Sequence, residues 1–229
     1  MKLRVAAFVA FISLLSCINE NAADISIENI SFQPEFAFPI GSQPVAFSNY
    51  SSSTDLKPIN DTLLNDFDAI SDTIFNYNDR YYYLPENIST DNSIPFSFDQ
   101  NKEDLDLIKS FLVKTNVTSG IPGKVVVQVY FMNQGTTLDS LYDNPFQISG
   151  PELDDSGNIT STIFSTNKTT YENPDRIFNI LDTDELKITT SLTIPSYKEV
   201  NTKYNDSLKL EIQVAARIKL NLTPFKKDE

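Results

Sequence analysis

The chain has 229 residues, with 18 Lys and Arg against 31 Asp and Glu, and its formal net charge is −13 at pH 7. It contains 16 Phe and 10 Tyr but only 1 Cys, 6 Gly and no His. This composition can fill a hydrophobic core, but it excludes a disulfide framework, a Ser-His-Asp triad and a histidine metal site, and it argues against nucleic-acid and nucleotide partners.

Residues 1–16 predict a signal peptide. Lys2 and Arg4 make a basic start, and residues 5–15 are an uncharged apolar run. That run is too short to span a bilayer, because a transmembrane helix needs roughly 20 apolar residues.

The end of the apolar run, Leu14-Leu15-Ser16-Cys17, resembles the lipobox of bacterial lipoproteins. The resemblance implies cleavage before Cys17, a diacylglyceryl group on its thiol, and attachment to a membrane through that lipid. Residues 17–24 would then be a lipidated tether. The alternative is a chance cysteine near an ordinary signal peptide.

The next residues predict the start of a β-rich domain that covers residues 25–224. Pro34 and Pro39 interrupt the extended pieces, which is typical of edge strands. The apolar residues of these pieces are Ile25, Ile27, Ile30, Phe32, Phe36 and Phe38.

A short helix is predicted over residues 61–70. Asp61 can cap its N-terminus. One face of the helix would carry Leu63, Leu64, Phe67 and Ile70.

Tyr81, Tyr82 and Tyr83 form a candidate ligand patch, because tyrosine offers a flat apolar face with a polar tip that suits sugar or protein surfaces. The alternative is a strand in which Tyr81 and Tyr83 share one face and Tyr82 lies on the other, all partly buried. Further along, the polar residues 99–106 are the place where the domain would divide if it has two lobes.

Residues 111–117 and 124–132 are predicted to pair as a hairpin, because the intervening Gly120, Pro122 and Gly123 supply turn geometry. Residues 125–132 are apolar on both faces, which favours a central strand.

A second short helix is predicted after Asn173, which can cap it, with Pro174 at the first helical position. We expect Ile177, Phe178 and Leu181 to face inward.

The clearest strand signal lies at residues 208–222, where eight apolar residues alternate with more polar ones. Residues 186–194 alternate in the same way, and the two segments are predicted to pair as a long antiparallel hairpin. Residues 225–229 form a charged tail. The fold class expected from these elements is mostly β, an antiparallel β-sandwich with long strands and one or two short helices.

Acidic side chains are the remaining source of chemistry. Asp154-Asp155-Ser156-Gly157-Asn158 and Asp182-Thr183-Asp184-Glu185 are oxygen-rich, but neither has the spacing of an EF-hand calcium loop, so solvated turns are favoured. We expect no catalytic residue, no metal and no cofactor. A carboxylate-based hydrolase is the less favoured alternative.

Four triplets look like the D-[ST]-[LIV] O-glycosylation motif of exported Bacteroidota proteins, and they begin at Asp61, Asp72, Asp139 and Asp206. Together with the lipobox and stretches such as FAFPIGS, they make the chain resemble cell-envelope lipoproteins of the Bacteroidota built of β-sandwich lobes. The resemblance implies an outer-membrane address. A run of acids just after the cysteine would favour surface export, but only Glu20 follows Cys17 closely. Periplasmic and surface orientations therefore both stay open.

The function favoured on these grounds is a lipid-anchored envelope protein that acts as a non-enzymatic binding or accessory module for a protein or glycan partner. A structural or adhesion role is the alternative.

Overall fold

The computed structural model of the protein describes residues 33–60, 66–85, 88–97 and 107–221. The elements run in chain order as β1 (Glu35–Ala46), α1 (Phe47–Ser53), α2 (Phe67–Ile70), β2 (Ile74–Tyr77), β3 (Arg80–Tyr83), β4 (Ile88–Pro95), β5 (Ile108–Ser119), β6 (Lys124–Asn133), β7 (Thr136–Ser140), β8 (Phe146–Ile148), β9 (Ile163–Tyr171), α3 (Pro174–Leu181), β10 (Glu185–Thr193), β11 (Lys203–Tyr204) and β12 (Lys209–Leu220). The prediction of a mostly β, antiparallel sandwich with long strands and short helices is confirmed.

Two antiparallel sheets make up the sandwich. The first sheet has the strand order β1-β12-β5-β9. The second has the order β4-β10-β6-β7, and β8 also pairs with β6. As predicted, β6 is a central strand. A small third sheet, β11-β2-β3, pairs β11 with β2 in parallel and β2 with β3 antiparallel.

The core lies between the two large sheets. Alternate residues of β12, from Leu210 to Ile218, are buried, and so are alternate residues of β5, from Phe111 to Ser119. They pack in one continuous apolar cluster with inward residues of β6 and β10 such as Val127 and Ile188. The period-two pattern of the sequence therefore sets which face of each strand is buried.

Both predicted hairpins are wrong. β10 pairs with β4 and β6, whereas β12 pairs with β1 and β5 in the other sheet. Likewise β5 belongs to the first sheet and β6 to the second. Each of these strands has an apolar face that must be buried. When the chain crosses from one sheet to the other between two strands, their apolar faces pack against each other.

β1 lies at the edge of the first sheet, as the prolines of this segment predicted. Pro39 and Pro44 both lie within it, and its register against β12 shifts between Pro39 and Gly41. A proline lacks the backbone N–H that an inner strand needs, so an edge position tolerates it best.

Helix α3 begins as predicted, but one of its predicted core residues is wrong. Asn173 caps it by accepting a hydrogen bond from the Arg176 N–H, and Pro174 is the first helical residue. Ile177, Ile180 and Leu181 are buried, whereas Phe178 is 46% exposed. At 100° per residue, position 178 lies beside the stripe formed by the other three.

The helix predicted at residues 61–70 is described from residue 66 onward, and α2 occupies Phe67–Ile70. Helix α1 was missed because its sequence, FSNYSSS, is rich in serine. The side chain of Asn49 accepts a hydrogen bond from the Ala46 N–H at 2.9 Å and caps the helix. Phe47 and Tyr50, three residues apart, are fully buried.

Several predictions lie outside the described residues: the signal peptide, Cys17 and the tether to residue 24, the strand pieces before residue 33, the seam at residues 99–106, and the tail at 225–229. The unit Glu35–Leu220 is compact.

Candidate functional site

A pocket opens at one end of the sandwich, where the residues between β5 and β6 meet the residues that follow β8 and β10. We call it the end pocket. Its volume is about 340 Å³, and its lining residues are Pro122, Gly123, Lys124, Gln147, Ile148, Ser149, Gly150, Pro151, Leu153, Pro195 and Val200.

Two glycines shape the wall of the end pocket. Gly123 has φ +114°, a conformation that side chains rarely adopt. A Cβ atom on Gly150 would lie 2.4 Å from the backbone nitrogen of Gly123, so the two backbones touch. This close contact requires glycine at position 150 for steric reasons alone.

A buried tyrosine supports the same wall from inside. Tyr204 is 1% exposed, and its hydroxyl donates a hydrogen bond to the Pro122 carbonyl at 2.9 Å. Burial raises the pKa of Tyr204. Since the neighbouring Gly123 and Gly150 are in backbone contact, this wall of the pocket is closely packed.

The lining chemistry is apolar with a few donors. Proline rings and aliphatic side chains make most of the wall, and Lys124, Gln147 and Ser149 are its polar side chains. None of the described residues that line the end pocket is acidic. Although the chain as a whole carries a net charge of −13, this pocket can therefore hold an uncharged or anionic group.

The three tyrosines predicted as a ligand patch divide between two faces of β3. Tyr82 packs on the core, with its ring centroid 5.9 Å from that of Phe75. Tyr81 lies on the opposite face, and Tyr83 is 41% exposed. Ligand binding at these residues stays a prediction.

Tyr81 belongs to a half-buried aromatic cluster that the sequence did not reveal. Its ring contacts Phe67 and Tyr197 edge to face, with centroids 5.3 and 5.4 Å away, and those two rings contact each other at 5.3 Å. Burial, and a hydrogen bond that the Tyr197 hydroxyl donates to Tyr81, raise the pKa of Tyr197. The three rings pack against one another, which is typical of a small structural cluster beside the main core.

The acidic loop at Asp154 is a turn closed by its own side chain, whereas the loop at Asp184 is hydrogen-bonded to the turn between β6 and β7. Asp154 Oδ1 accepts hydrogen bonds from the N–H groups of Ser156 and Asn158 at 2.9 and 2.8 Å. Hydrogen bonds from the side chain of Asn158, and then from its backbone N–H, lower the pKa of Asp154. In the other loop, Asp184 Oδ2 accepts from the Gln134 N–H at 2.9 Å. Within the described parts of the chain, no three acidic side chains cluster so as to hold a metal ion.

The Asp-Ser/Thr-apolar triplets differ in how far their hydroxyls are exposed. Thr73 and Ser207 are exposed, whereas Ser140 is half-buried and its hydroxyl donates to the Tyr142 carbonyl at 3.3 Å. The aspartate that precedes Ser140 is held by Arg176, whose Nη2 lies 3.1 Å from Asp139 Oδ1. The triplet at residues 61–63 is outside the described ranges.

Across residues 33–60, 66–85, 88–97 and 107–221, no helix combines the length and apolar character needed to cross a membrane.

No protein-family model matches the chain, and no curated protein does so either. Similar solved structures include a secreted protein from Parabacteroides distasonis, with 13% identity, a TM-score of 0.37 and coverage of 61% of this chain and 42% of that one. The chain thus spans less than half the length of that relative.

Two further solved structures cover more of the chain. One is an infectious bursal disease virus particle protein, with 8% identity, a TM-score of 0.31 and coverage of 82% of this chain and 31% of that one. The other is the C-terminal CBM6 of LamC from Zobellia galactanivorans, with 11% identity, a TM-score of 0.24 and coverage of 78% of this chain and 99% of that one. At TM-scores below 0.5, these similarities carry no argument about function.

Proposed function

We propose that the protein is a lipid-anchored binding module of the cell envelope, and that the end pocket holds part of a glycan or protein partner. The observation that carries the proposal is the pocket itself, a cavity of about 340 Å³ with a supported wall and mixed apolar and donor lining. Its volume falls at the lower end of the range of about 300–1,000 Å³ found for ligand pockets.

The residue types in the end pocket favour binding over catalysis. Acid–base catalysis needs a titratable group that can exchange a proton near the working pH, and the chain has no histidine. The polar lining side chains are a lysine, an amide and a serine. Lys124, Gln147 and Ser149 can instead donate hydrogen bonds to hydroxyl, carbonyl or carboxylate oxygens.

The apolar walls suit the C–H faces of a sugar ring or an extended peptide. Pro122, Pro151 and Pro195 present rigid rings, so little side-chain entropy is lost when a ligand packs on them. Lys124 supplies the one positive charge among the lining residues that the structure describes. A sugar or peptide segment that carries a carboxylate would use both features.

The pocket is tested with the full chain, purified in a non-ionic detergent and applied to a glycan array and to envelope extracts. Leu153→Trp should fill the cavity, and Lys124→Gln should remove its charge. We expect each variant to lose about tenfold or more in affinity for whatever the wild type retains.

Lys57→Gln is the matched control, since it removes one exposed lysine elsewhere and should bind like the wild type. The proposal fails if neither glycan nor protein is retained, or if the pocket variants bind as tightly as the control. Release of a cleaved product would assign the chain to the hydrolase alternative instead.

The anchor is tested separately. Cys17→Ser should abolish incorporation of labelled palmitate and release the protein from the envelope fraction, because the thiol that receives the lipid is gone. A Ser16→Ala variant keeps the thiol and a small preceding residue, and it should still be labelled. If Cys17→Ser takes up label and stays with the membrane, the lipid-anchor proposal is wrong.

A further inference from the structure

One side of the molecule gathers positive charge in a chain that is acidic as a whole. The outward-facing positions of β12, β5 and β9 form a surface that we call the basic face. Its cations are Lys114, Lys168, Lys209, Arg217 and Lys219. Among the outward positions of the first sheet, all of which are described, the acids are Glu35 and Glu211. The face is therefore net positive, although the chain carries −13.

The strand register brings three of these cations together. Lys114 on β5 lies directly opposite Lys168 on β9, and it lies opposite Ala215 on β12. Arg217 is two residues beyond Ala215, so it lies diagonal to Lys114 on the same face. Directly opposite side chains on neighbouring strands have Cβ atoms about 4.5–5.5 Å apart, and diagonal ones are within reach of long side chains.

The two acids of this sheet contact residues other than Lys114 and Lys168. Glu35 Oε2 accepts from Arg217 Nη1 at 3.2 Å, and Glu35 Oε1 lies 4.0 Å from Lys219 Nζ. Glu211 Oε1 accepts from Gln213 Nε2 at 2.9 Å. Within the part of the chain that the structure describes, no ion pair joins Lys114 or Lys168 to an acid.

A lysine directly opposite a lysine is unfavourable for folding, because like charges in a cross-strand pair destabilise the sheet. The cost is not relieved by a neighbouring carboxylate, although acids outnumber bases in this chain. An anionic group against the face would relieve this repulsion.

The residues beside the lysine pair can hydrogen-bond and stack. In the next row, the Thr166 hydroxyl donates to Asn116 Oδ1 at 2.9 Å. One row further, Phe164 lies opposite Thr118 and is 64% exposed. Cations, hydroxyl and amide groups and an exposed aromatic ring therefore follow one another along β9 and β5.

We propose that the basic face binds an acidic polysaccharide, a sugar polymer that carries carboxylate or sulfate groups. The lysines and Arg217 pair with its anionic groups, Thr166 and Asn116 bond its hydroxyls, and Phe164 stacks on a sugar ring. None of the residues that line the end pocket lies on this face, so the inference goes beyond the proposed function and does not depend on it.

An anionic membrane is the competing partner, and the charge distribution disfavours it. A linear polymer touches only the strip between β12 and β9. A planar membrane extends past that strip and brings the acidic remainder of the surface within a Debye length, about 8–10 Å at physiological salt.

The test uses the full chain in non-ionic detergent and immobilised polygalacturonate, with dextran sulfate and neutral dextran as a second, matched pair. We expect binding to polygalacturonate and dextran sulfate that weakens steeply between about 50 and 300 mM salt, and no binding to dextran. The double variant Lys114→Gln with Lys168→Gln should lose roughly tenfold or more in affinity. Phe164→Ser should weaken binding to polygalacturonate without any change of charge.

The control variant, Lys57→Gln with Lys198→Gln, removes the same charge from exposed positions away from the face and should bind like the wild type. Leu153→Trp should also leave polygalacturonate binding intact, which separates this surface from the end pocket. The proposal is overturned if the control loses as much affinity as the lysine-pair variant, if polygalacturonate is not bound at low salt, or if vesicles containing phosphatidylglycerol are bound in its place.

Discussion

Buried tyrosines place hydroxyl groups inside a sandwich that is otherwise apolar. The Tyr50 hydroxyl donates to Thr190 Oγ1 at 2.8 Å, and the Tyr171 hydroxyl donates to the Leu141 carbonyl at 3.2 Å. Burial raises the pKa of Tyr50 and of Tyr142 to about 12 in each case. Their ordinary value is about 10, so both hydroxyls stay protonated in the folded protein at a pH where an unfolded chain begins to lose the proton.

This difference in tyrosine pKa between the folded and unfolded states predicts that the protein loses stability at alkaline pH. Below pH 10 the two states hold the tyrosine protons equally, and stability is unaffected. Between about pH 10 and 12 the unfolded state alone releases them, and the free energy of unfolding falls by about 1.4 kcal/mol per pH unit for each tyrosine. Urea unfolding followed by circular dichroism at pH 8, 10, 11 and 11.5 measures that slope.

Tyr142→Phe keeps the ring and removes one titrating group, so its slope above pH 10 should be smaller than that of the wild type by about one tyrosine's share. Lysines that titrate in the same range contribute equally to both proteins. An identical slope in the two proteins would show that Tyr142 does not couple to folding.

The sequence predicted which residues share a face of a strand. It did not predict which strands pair. The alternation around Tyr82 is visible in three residues of sequence. It places Tyr81 and Tyr82 on opposite faces, which was one of the two predictions for these residues. Lys114, Lys168 and Arg217 lie on three strands that are far apart in the chain, and only the register of those strands makes them neighbours. No local pattern carries that information.

At the scale of single elements, the cap of α3 is the most clearly predicted feature. The Asn173 side chain accepts the Arg176 N–H at 3.2 Å, and Pro174 follows it at the start of the helix. We expect Asn173→Ala to destabilise the protein by about 1 kcal/mol, within the range of roughly 0.5–2 kcal/mol for the loss of such a cap. The shift of the urea midpoint at constant slope measures it.

Asn179→Ala is the control for that substitution. It changes the same residue type at an exposed position inside the same helix, and alanine favours helix more than asparagine does, so stability should stay equal or rise slightly. Equal effects of the two substitutions would mean that the observed cap does not stabilise the helix.

Strands were predictable as elements because a period of two appears within a single stretch of sequence, as in β12. Their partners were not, because Gly120, Pro122 and Gly123 permit either a tight hairpin or a crossing between sheets. The apolar faces of β5 and β6 decide the outcome, since crossing puts those faces against each other. The end pocket arises at this crossing and could not be found from the sequence.

For the molecule as a whole, net charge describes the chain poorly. A count of acids and bases gives −13, and it argued against a nucleic-acid partner. Folding sorts the charges, so that the outer side of one sheet is basic. Surface binding properties therefore depend on strand register as much as on composition.

The pairing of β1 with β12 also has a consequence for synthesis. Among the strands that the structure describes, β12 is the only neighbour of β1 in the sheet, and it separates β1 from β5. At about 5–20 residues per second, a ribosome needs on the order of ten seconds or more to reach the second partner after making the first. The sheet cannot close until β12 has been synthesised, and any product that stops before Lys209 lacks the strand with which β1 and β5 both pair.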